Sequence, residues 1–517
     1  PYYAKKKNDF NYLMLIGNAA AKIGEFRTAV GAYYRGFELQ SRRSSKGKDA
    51  LFRAAFLSYQ FQDYDGAYRK FEQFKELYPS SGLTRDASWH MAWLKYLKGD
   101  YDGAIVDLKD IHRQARRHYR RWRKYPLEKI QFWLGMAHLR KKSFNEARDF
   151  FENIIKKSPL DYYAQAARSR LLSIPAPNEN TIRGLASAEL ENAPEEENGS
   201  PGEMAAADAE SEETLMNQDA QEGAEDISAN EVPIGDNEAQ EVDDDRLFRS
   251  VKFQESLDRA MGLIDVGLYM WAKNELYEIE KRTRQKDHRL KLIKAYESIA
   301  SFNRSSYIAE IYFAKERHRG GLDREEILWK SAYPLAFANE VTHFANQFGI
   351  EKEFIWELMR AESRYKQDIS SPVGARGLMQ LMPHTAMQVS RLLGDSSFNP
   401  DTLTQPAVNI RLGTRYLQRL AKKFKGQLPL MAAAYNAGPH RVESWLSTFG
   451  HLDMDEFIEH IPFVETRNYV KKVTRNYGVY KALYGKDVTP LAWLPKSIDV
   501  PNNIRPVTRE TWDQIDL

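Results

Sequence analysis

A chain of 517 residues, 12% of them aromatic, exceeds a single hydrophobic core and predicts several densely packed domains. Lacking cysteine, it cannot form disulfides or a thiolate site, and its 11 scattered histidines show no paired metal spacing, so no metal or cofactor is expected. The net charge is only +3, and no run approaches the ~18 apolar residues of a membrane span, so none is expected. The start at Pro1 rather than Met leaves room for a removed signal peptide or lipid anchor.

Residues 1–172 carry an internal repeat. An aromatic residue followed three positions later by alanine recurs as Phe26/Ala29, Tyr64/Ala67, Tyr101/Ala104 and Phe144/Ala147, the alanines lying 38, 37 and 43 residues apart. Helical patterning flanks each pair: the small alanine lets two helices approach, and the aromatic fills the gap beside it. The stretch resembles tetratricopeptide repeats, whose usual period is about 34 residues, and the resemblance implies an α-solenoid. The longer last interval holds seven basic residues between Arg113 and Lys124, with Tyr119 and Trp122 among them. A solvated helix extension is the preferred reading of this run. Nucleic-acid binding, or docking of the chain's own acidic segment or an anionic glycan, are the other readings.

That acidic segment follows. From Glu179 to Asp245 there are 22 acidic residues against one basic, Arg183, so the segment is −21 and the remainder of the chain +24. No aromatic occurs between Tyr163 and Phe248. Residues 173–246 are therefore expected to be a disordered, self-repelling linker. The basic remainder suits a polyanionic partner. Helical periodicity returns over 247–328, for instance at Leu257, Met261, Ile264, Leu268 and Trp271, and predicts a further helical domain.

Residues 329–490 also read as helices, so the whole chain is expected to be all-α. Pro383 suits the first turn of one helix, and Pro406 opens another with Ile410, Thr414, Leu417, Ala421 and Phe424 at helical spacing. A helix from Pro429 stops at Gly438-Pro439, which leaves Tyr435 and Asn436 in its last turn. Upstream, Ile355, Leu358 and Met359 place Glu362 on the apolar stripe of a helix. A partly desolvated carboxylate holds its proton more tightly, as a general acid for glycosidic cleavage must. Surface pairing with Arg360 or Arg364 is the competing reading.

Three blocks then fall in order. The first is Ala361-Glu362-Ser363-Arg364-Tyr365 with the Gly377-Leu378-Met379-Gln380 loop; the second is Ala433-Ala434-Tyr435-Asn436-Ala437-Gly438-Pro439. The third runs Ile461-Pro462-Phe463-Val464-Glu465-Thr466-Arg467-Asn468-Tyr469-Val470. Together they resemble the lysozyme-like catalytic domain of the soluble lytic transglycosylases (family 1), which cut bacterial peptidoglycan. The resemblance implies that Glu362 protonates the oxygen of the β-1,4 bond between N-acetylmuramic acid and N-acetylglucosamine. The muramoyl C6 hydroxyl then attacks C1 with Glu362 as base, leaving a 1,6-anhydromuramoyl end without consuming water.

The same resemblance assigns Ser371, Gly377, Met379, Gln380, Tyr435, Asn436, Glu465 and Tyr469 to the substrate groove. Ser371 and Gln380 would line it near the acid, and Gly374 and Gly377 would let the backbone approach a sugar closely. Tyr435 would stand beside the acid, and Glu465 across the groove, helping to position the muramoyl unit. Met379 reads as groove contact or core, Asn436 as sugar binder or helix end, and Glu465 as groove residue or partner of Arg467 or Lys471. Residues 491–517 form a C-terminal extension. Implied partners are peptidoglycan glycan strands and a protein on the concave face of the repeats, not nucleic acid. The implied location is the periplasm or cell envelope of a Gram-negative bacterium. A lysozyme-type muramidase and a catalytically silent glycan-binding scaffold are the alternatives.

Overall fold

The computed structural model describes residues 9–175, apart from 24, 42, 43 and 123, and residues 242–485, 494–501 and 504. Most of the expected acidic linker and most of the extension 491–517 lie outside the described residues. Among the described residues every regular element is a helix, with three isolated bridges besides, in keeping with the all-α expectation. The first ten are α1 (Phe10–Lys22), α2 (Phe26–Glu38), α3 (Ser45–Gln60), α4 (Tyr64–Leu77), α5 (Leu83–Leu97), α6 (Tyr101–Arg117), α7 (Tyr119–Trp122), α8 (Leu127–Arg140), α9 (Phe144–Lys157) and α10 (Tyr162–Leu171). Then come α11 (Val242–Asp265), α12 (Tyr269–Arg282), α13 (Lys286–Ser298), α14 (Phe302–Ile311), α15 (Ala314–Arg324), α16 (Glu326–Ala332) and α17 (Ala338–Phe348). The last seven are α18 (Lys352–Ser363), α19 (Pro383–Leu392), α20 (Pro406–Lys423), α21 (Leu428–Ala437), α22 (Pro439–Phe449), α23 (Met454–His460) and α24 (Val464–Tyr484). Helix α11 starts inside the last residues assigned to the linker, a start that the apolar pattern does not mark.

Two compact units share these elements. Among the described residues, 9–175, 449–471 and 494–498 form one, and 242–448, 472–485, 499–501 and 504 form the other. The stretch expected as one domain at 329–490 is therefore divided, with 449–471 belonging to the repeat-bearing unit.

In the first unit each aromatic–alanine pair opens a helix: Phe26 begins α2, Tyr64 α4, Tyr101 α6 and Phe144 α9. All four alanines are 0% exposed, as close helix contact requires. The helix starts have a local cause. Gln62, Gly99 and Lys142 turn the chain in the left-handed region, with φ of 61°, 81° and 64°. Asp63 and Asp100 then accept from the N–H groups of Gly66 (3.0 Å) and Gly103 (2.9 Å), capping α4 and α6. Between the helices the core is aromatic: Trp93 meets Trp133 edge-on at 4.4 Å, and its indole donates to the Tyr59 hydroxyl at 3.0 Å.

The acidic helix α23 lies buried in this unit. Glu459 accepts from Lys129 at 2.5 Å and Lys471 at 2.6 Å; Glu456 accepts from Arg140 at 2.5 Å and the Tyr96 hydroxyl at 2.6 Å. Asp455 accepts from Arg170 at 2.7 Å. Burial alone would raise the Glu459 carboxyl; the cations Lys129, Lys471 and Arg467 outweigh it and hold the group far below the usual carboxylate range. Beside it the His460 ring is boxed by Tyr59 at 4.9 Å and Phe449 at 4.7 Å.

The second unit is built around α18 and α20. Ile355, Leu358 and Met359 are fully buried, as the stripe predicts, and the Trp356 indole donates to the Ala336 carbonyl at 2.9 Å. Helices α19 and α20 start at the expected prolines, and α21 ends where Gly438 takes φ 93°.

Candidate active site

Glu362 sits half-buried in the last turn of α18. The helix then breaks sharply, because Arg364 and Tyr365 both take left-handed backbone conformations, φ 48° and 64°. Neither residue favours that region, so the surroundings must hold the break. The Ser363 hydroxyl lies 2.7 Å from the Leu378 carbonyl and 3.0 Å from that of Met359, tying the helix end to the following loop. The Tyr365 hydroxyl bonds that of Tyr480, which reaches the Pro334 carbonyl at 3.0 Å. Both arginines weighed as partners of Glu362 pair with Glu310, Arg364 at 2.6 Å.

The loop over 369–381 is fixed through its backbone. Arg376 and Leu381 exchange two hydrogen bonds of 3.0 Å, and the Gly377 N–H donates to Ile369 at 2.9 Å. Ser371 closes the outer turn, its N–H donating to the Ala375 carbonyl at 2.8 Å and its hydroxyl accepting from the Ala375 N–H at 3.0 Å. Gln380, at φ 43°, donates its side-chain amide to the Gly377 carbonyl at 2.9 Å. Asn409, 0% exposed on α20, holds the whole loop. Its carbonyl oxygen accepts from the Met379 N–H at 2.7 Å, and its amide donates to the carbonyls of Arg376 (2.9 Å) and Leu403 (2.8 Å).

Two residues of this loop face inward. Gly377, with φ 77°, makes room for its own chain: a Cβ there would strike the Leu403 carbonyl and the Asn409 amide. The Met379 side chain is core, 0% exposed and packed where a Cβ on Gly413 would meet its sulfur.

From α21 the Tyr435 hydroxyl donates to the Met379 carbonyl at 2.7 Å. Burial and then the negative charge of Glu362 push this hydroxyl far above its ordinary pKa. Asn436 follows, half-buried, at the end of the same helix. Glu465 is exposed in the first turn of α24, and Tyr469 is half-buried one turn on, both within 449–471. The cations weighed as partners for Glu465 are drawn to Glu459: Lys471 bonds its carboxylate, and Arg467 its carbonyl at 3.0 Å. Sequence reasoning missed Asn409 and Glu310. The signal for Asn409 is a polar residue sharing a helical stripe with Leu412, Tyr416 and Leu420, all buried.

Against this geometry the known proteins can be set. Residues 341–458 match the family described as the Transglycosylase SLT domain, and residues 49–81 and 130–161 match tetratricopeptide repeats. The chain carries a transglycosylase SLT domain. Over 164 residues the chain is 37% identical to the soluble lytic murein transglycosylase of Salmonella typhimurium, covering 31% of this chain and 25% of that protein. It is 36% identical over 167 residues to the Escherichia coli K12 protein of the same name, covering 31% and 26%. The match thus spans about a quarter of these relatives' length. In fold the chain is similar to an inactive mutant of lytic transglycosylase Slt from Pseudomonas aeruginosa, with TM-score 0.56 and 22% identity over 95% of this chain and 70% of that one. It is also similar to the 70-kDa soluble lytic transglycosylase in complex with bulgecin A, with TM-score 0.50 and 18% identity over 96% and 76%. The SLT match ends before Glu465 and Tyr469.

Proposed function

We propose that this chain is a peptidoglycan lytic transglycosylase of the periplasm of a Gram-negative bacterium, with Glu362 as general acid and then base. The observation that carries the reading is Glu362 at the end of α18, followed by a loop that Asn409 holds and Tyr435 braces, inside an SLT domain. Glu362 starts the reaction as the protonated acid. Glu362 delivers that proton to the oxygen between muramic acid and glucosamine. It then takes the proton of the muramoyl C6 hydroxyl as that oxygen closes on C1, and the 1,6-anhydro ring forms. Ser371, Gly377, Met379, Gln380 and Asn436 are assigned to glycan binding with the acid by the family resemblance, and Glu465 and Tyr469 are glycan-binding residues by the same resemblance. Residues 329–490 form the catalytic part, 247–328 its helical linker, and the repeats of 1–172 hold a protein partner.

The test is digestion of purified peptidoglycan with the full chain, followed by mass spectrometry of the soluble muropeptides. Anhydromuramoyl ends are the expected product. Hydrated reducing ends would make the chain a muramidase, and the absence of soluble product would leave a glycan-binding scaffold.

A further inference from the structure

A cavity of about 240 Å³ opens in the first unit, between the turn that precedes α5 and the joint of α6 with α7. Arg85 and Arg121 stand in its wall with His118, and the nearly buried Trp122 closes one side. The carboxylates nearby are already engaged: Asp86 by Lys124 at 2.8 Å and by Tyr125, and Asp110 by Arg113 at 3.4 Å and Gln114 at 2.7 Å. Among the described residues no carboxylate pairs with Arg85 or Arg121. Arg117 and Arg120 add exposed positive charge at the same joint.

Two hydroxyl oxygens in the wall are left as acceptors. Thr84 donates its hydroxyl proton to the Tyr78 carbonyl at 2.6 Å and Ser88 donates to the Thr84 carbonyl at 3.0 Å, which leaves lone pairs on both oxygens for a ligand N–H. Two guanidinium forks suit carboxylates, and hydroxyl oxygens suit amides. At about 240 Å³ the cavity takes the carboxylate-bearing end of a short peptide and not a glycan strand.

We propose that this cavity binds the acidic stem peptide of peptidoglycan through its carboxylates, a choice of peptide that rests on the function proposed above. The first unit then holds peptide-bearing substrate at a site of its own, apart from the glycan-cleaving residues.

The full chain is titrated calorimetrically with the tripeptide L-alanyl-γ-D-glutamyl-diaminopimelate, which has no glycosidic bond to cleave. Saturable binding is expected for it and none for trialanine. Arg85→Ala and Arg121→Ala should each weaken binding roughly tenfold or more, at unchanged melting temperature. Undiminished affinity in the double variant would overturn the proposal, and so would equal competition by inorganic phosphate, which marks a site for any small anion. Cleavage separates this proposal from the function it rests on. The double variant should lose rate on intact peptidoglycan and keep it on peptide-free glycan strands, whereas equal loss on both would contradict a peptide site. If the unsubstituted chain cleaves neither, the function fails while the tripeptide titration still decides the cavity.

Discussion

The Tyr435 hydroxyl donates to the Met379 carbonyl across 2.7 Å, joining the end of α21 to the loop that follows Glu362. The phenol thereby acts as a strut between two of the three sequence blocks, and its ring fills space beside the acid. Tyr435→Phe keeps the ring and removes the strut. It should lower stability by only about 1 kcal/mol. The rate of glycan release should fall roughly 10- to 100-fold, since small displacements of reacting groups are costly. A positioning role predicts that kcat falls more than KM rises, and a variant with both constants unchanged would refute it.

Gly377→Ala tests the packing of the loop. The added methyl meets the Leu403 carbonyl and the Asn409 amide, and φ of 77° disfavours any L side chain. Backbone atoms and a fully hydrogen-bonded amide cannot step aside cheaply. The expected cost is roughly 2–4 kcal/mol, read as a lower melting temperature, together with loss of activity. A variant that melts like the parent would contradict this packing.

These cases mark what the sequence discloses and where it stops. The repeat was legible because its determinants are local: a left-handed residue, a cap, an aromatic and an alanine lie within a few positions of one another. The stripe through Ile355, Leu358 and Met359 was legible for the same reason. Asn409 was not, because the groups it bonds lie 30 and 33 residues away on the loop. Nor was the burial of α23. Asp-Met-Asp-Glu-Phe-Ile-Glu-His reads as a solvated acidic helix until Lys129, Arg140 and Arg170, some 285 to 330 residues distant, are brought to it. Gly377 shows a third limit: a glycine signals close approach but does not say by what.

The setting of α23 predicts acid sensitivity. Burial, followed by the charges of Arg467 and His451, pushes His460 down to about 3, and neither ring nitrogen has a hydrogen-bond partner among the described residues. A neutral His460 therefore contributes stability that is present above its unfolded value near 6.5 and lost as pH falls toward 3. Glu459, depressed by its three cations, adds stability present above its ordinary range and lost as pH falls through its lowered value. Both act in the same direction. Full titration of His460 alone is worth roughly 4–5 kcal/mol. Hydrogen exchange of the amides of 454–461 should speed up as pH falls from 7 to 4.5, after correction for intrinsic rates. A flat profile over that range would contradict the account.

Removing the anion tests the same cluster from the other side. Glu459→Ala leaves Lys129 and Lys471 buried without their carboxylate, and a cost of roughly 3–5 kcal/mol is expected. A melting temperature equal to that of the parent would show that the cations find water instead.

The most direct test is the rate at which Glu362→Gln releases anhydromuramoyl products from purified peptidoglycan, measured beside the parent chain. Glutamine keeps the shape of the side chain but cannot deliver the proton, so the rate should fall by about 10²- to 10⁴-fold with the melting temperature unchanged. A variant that still releases these products within about tenfold of the parent would remove Glu362 from the chemistry, and with it the central claim.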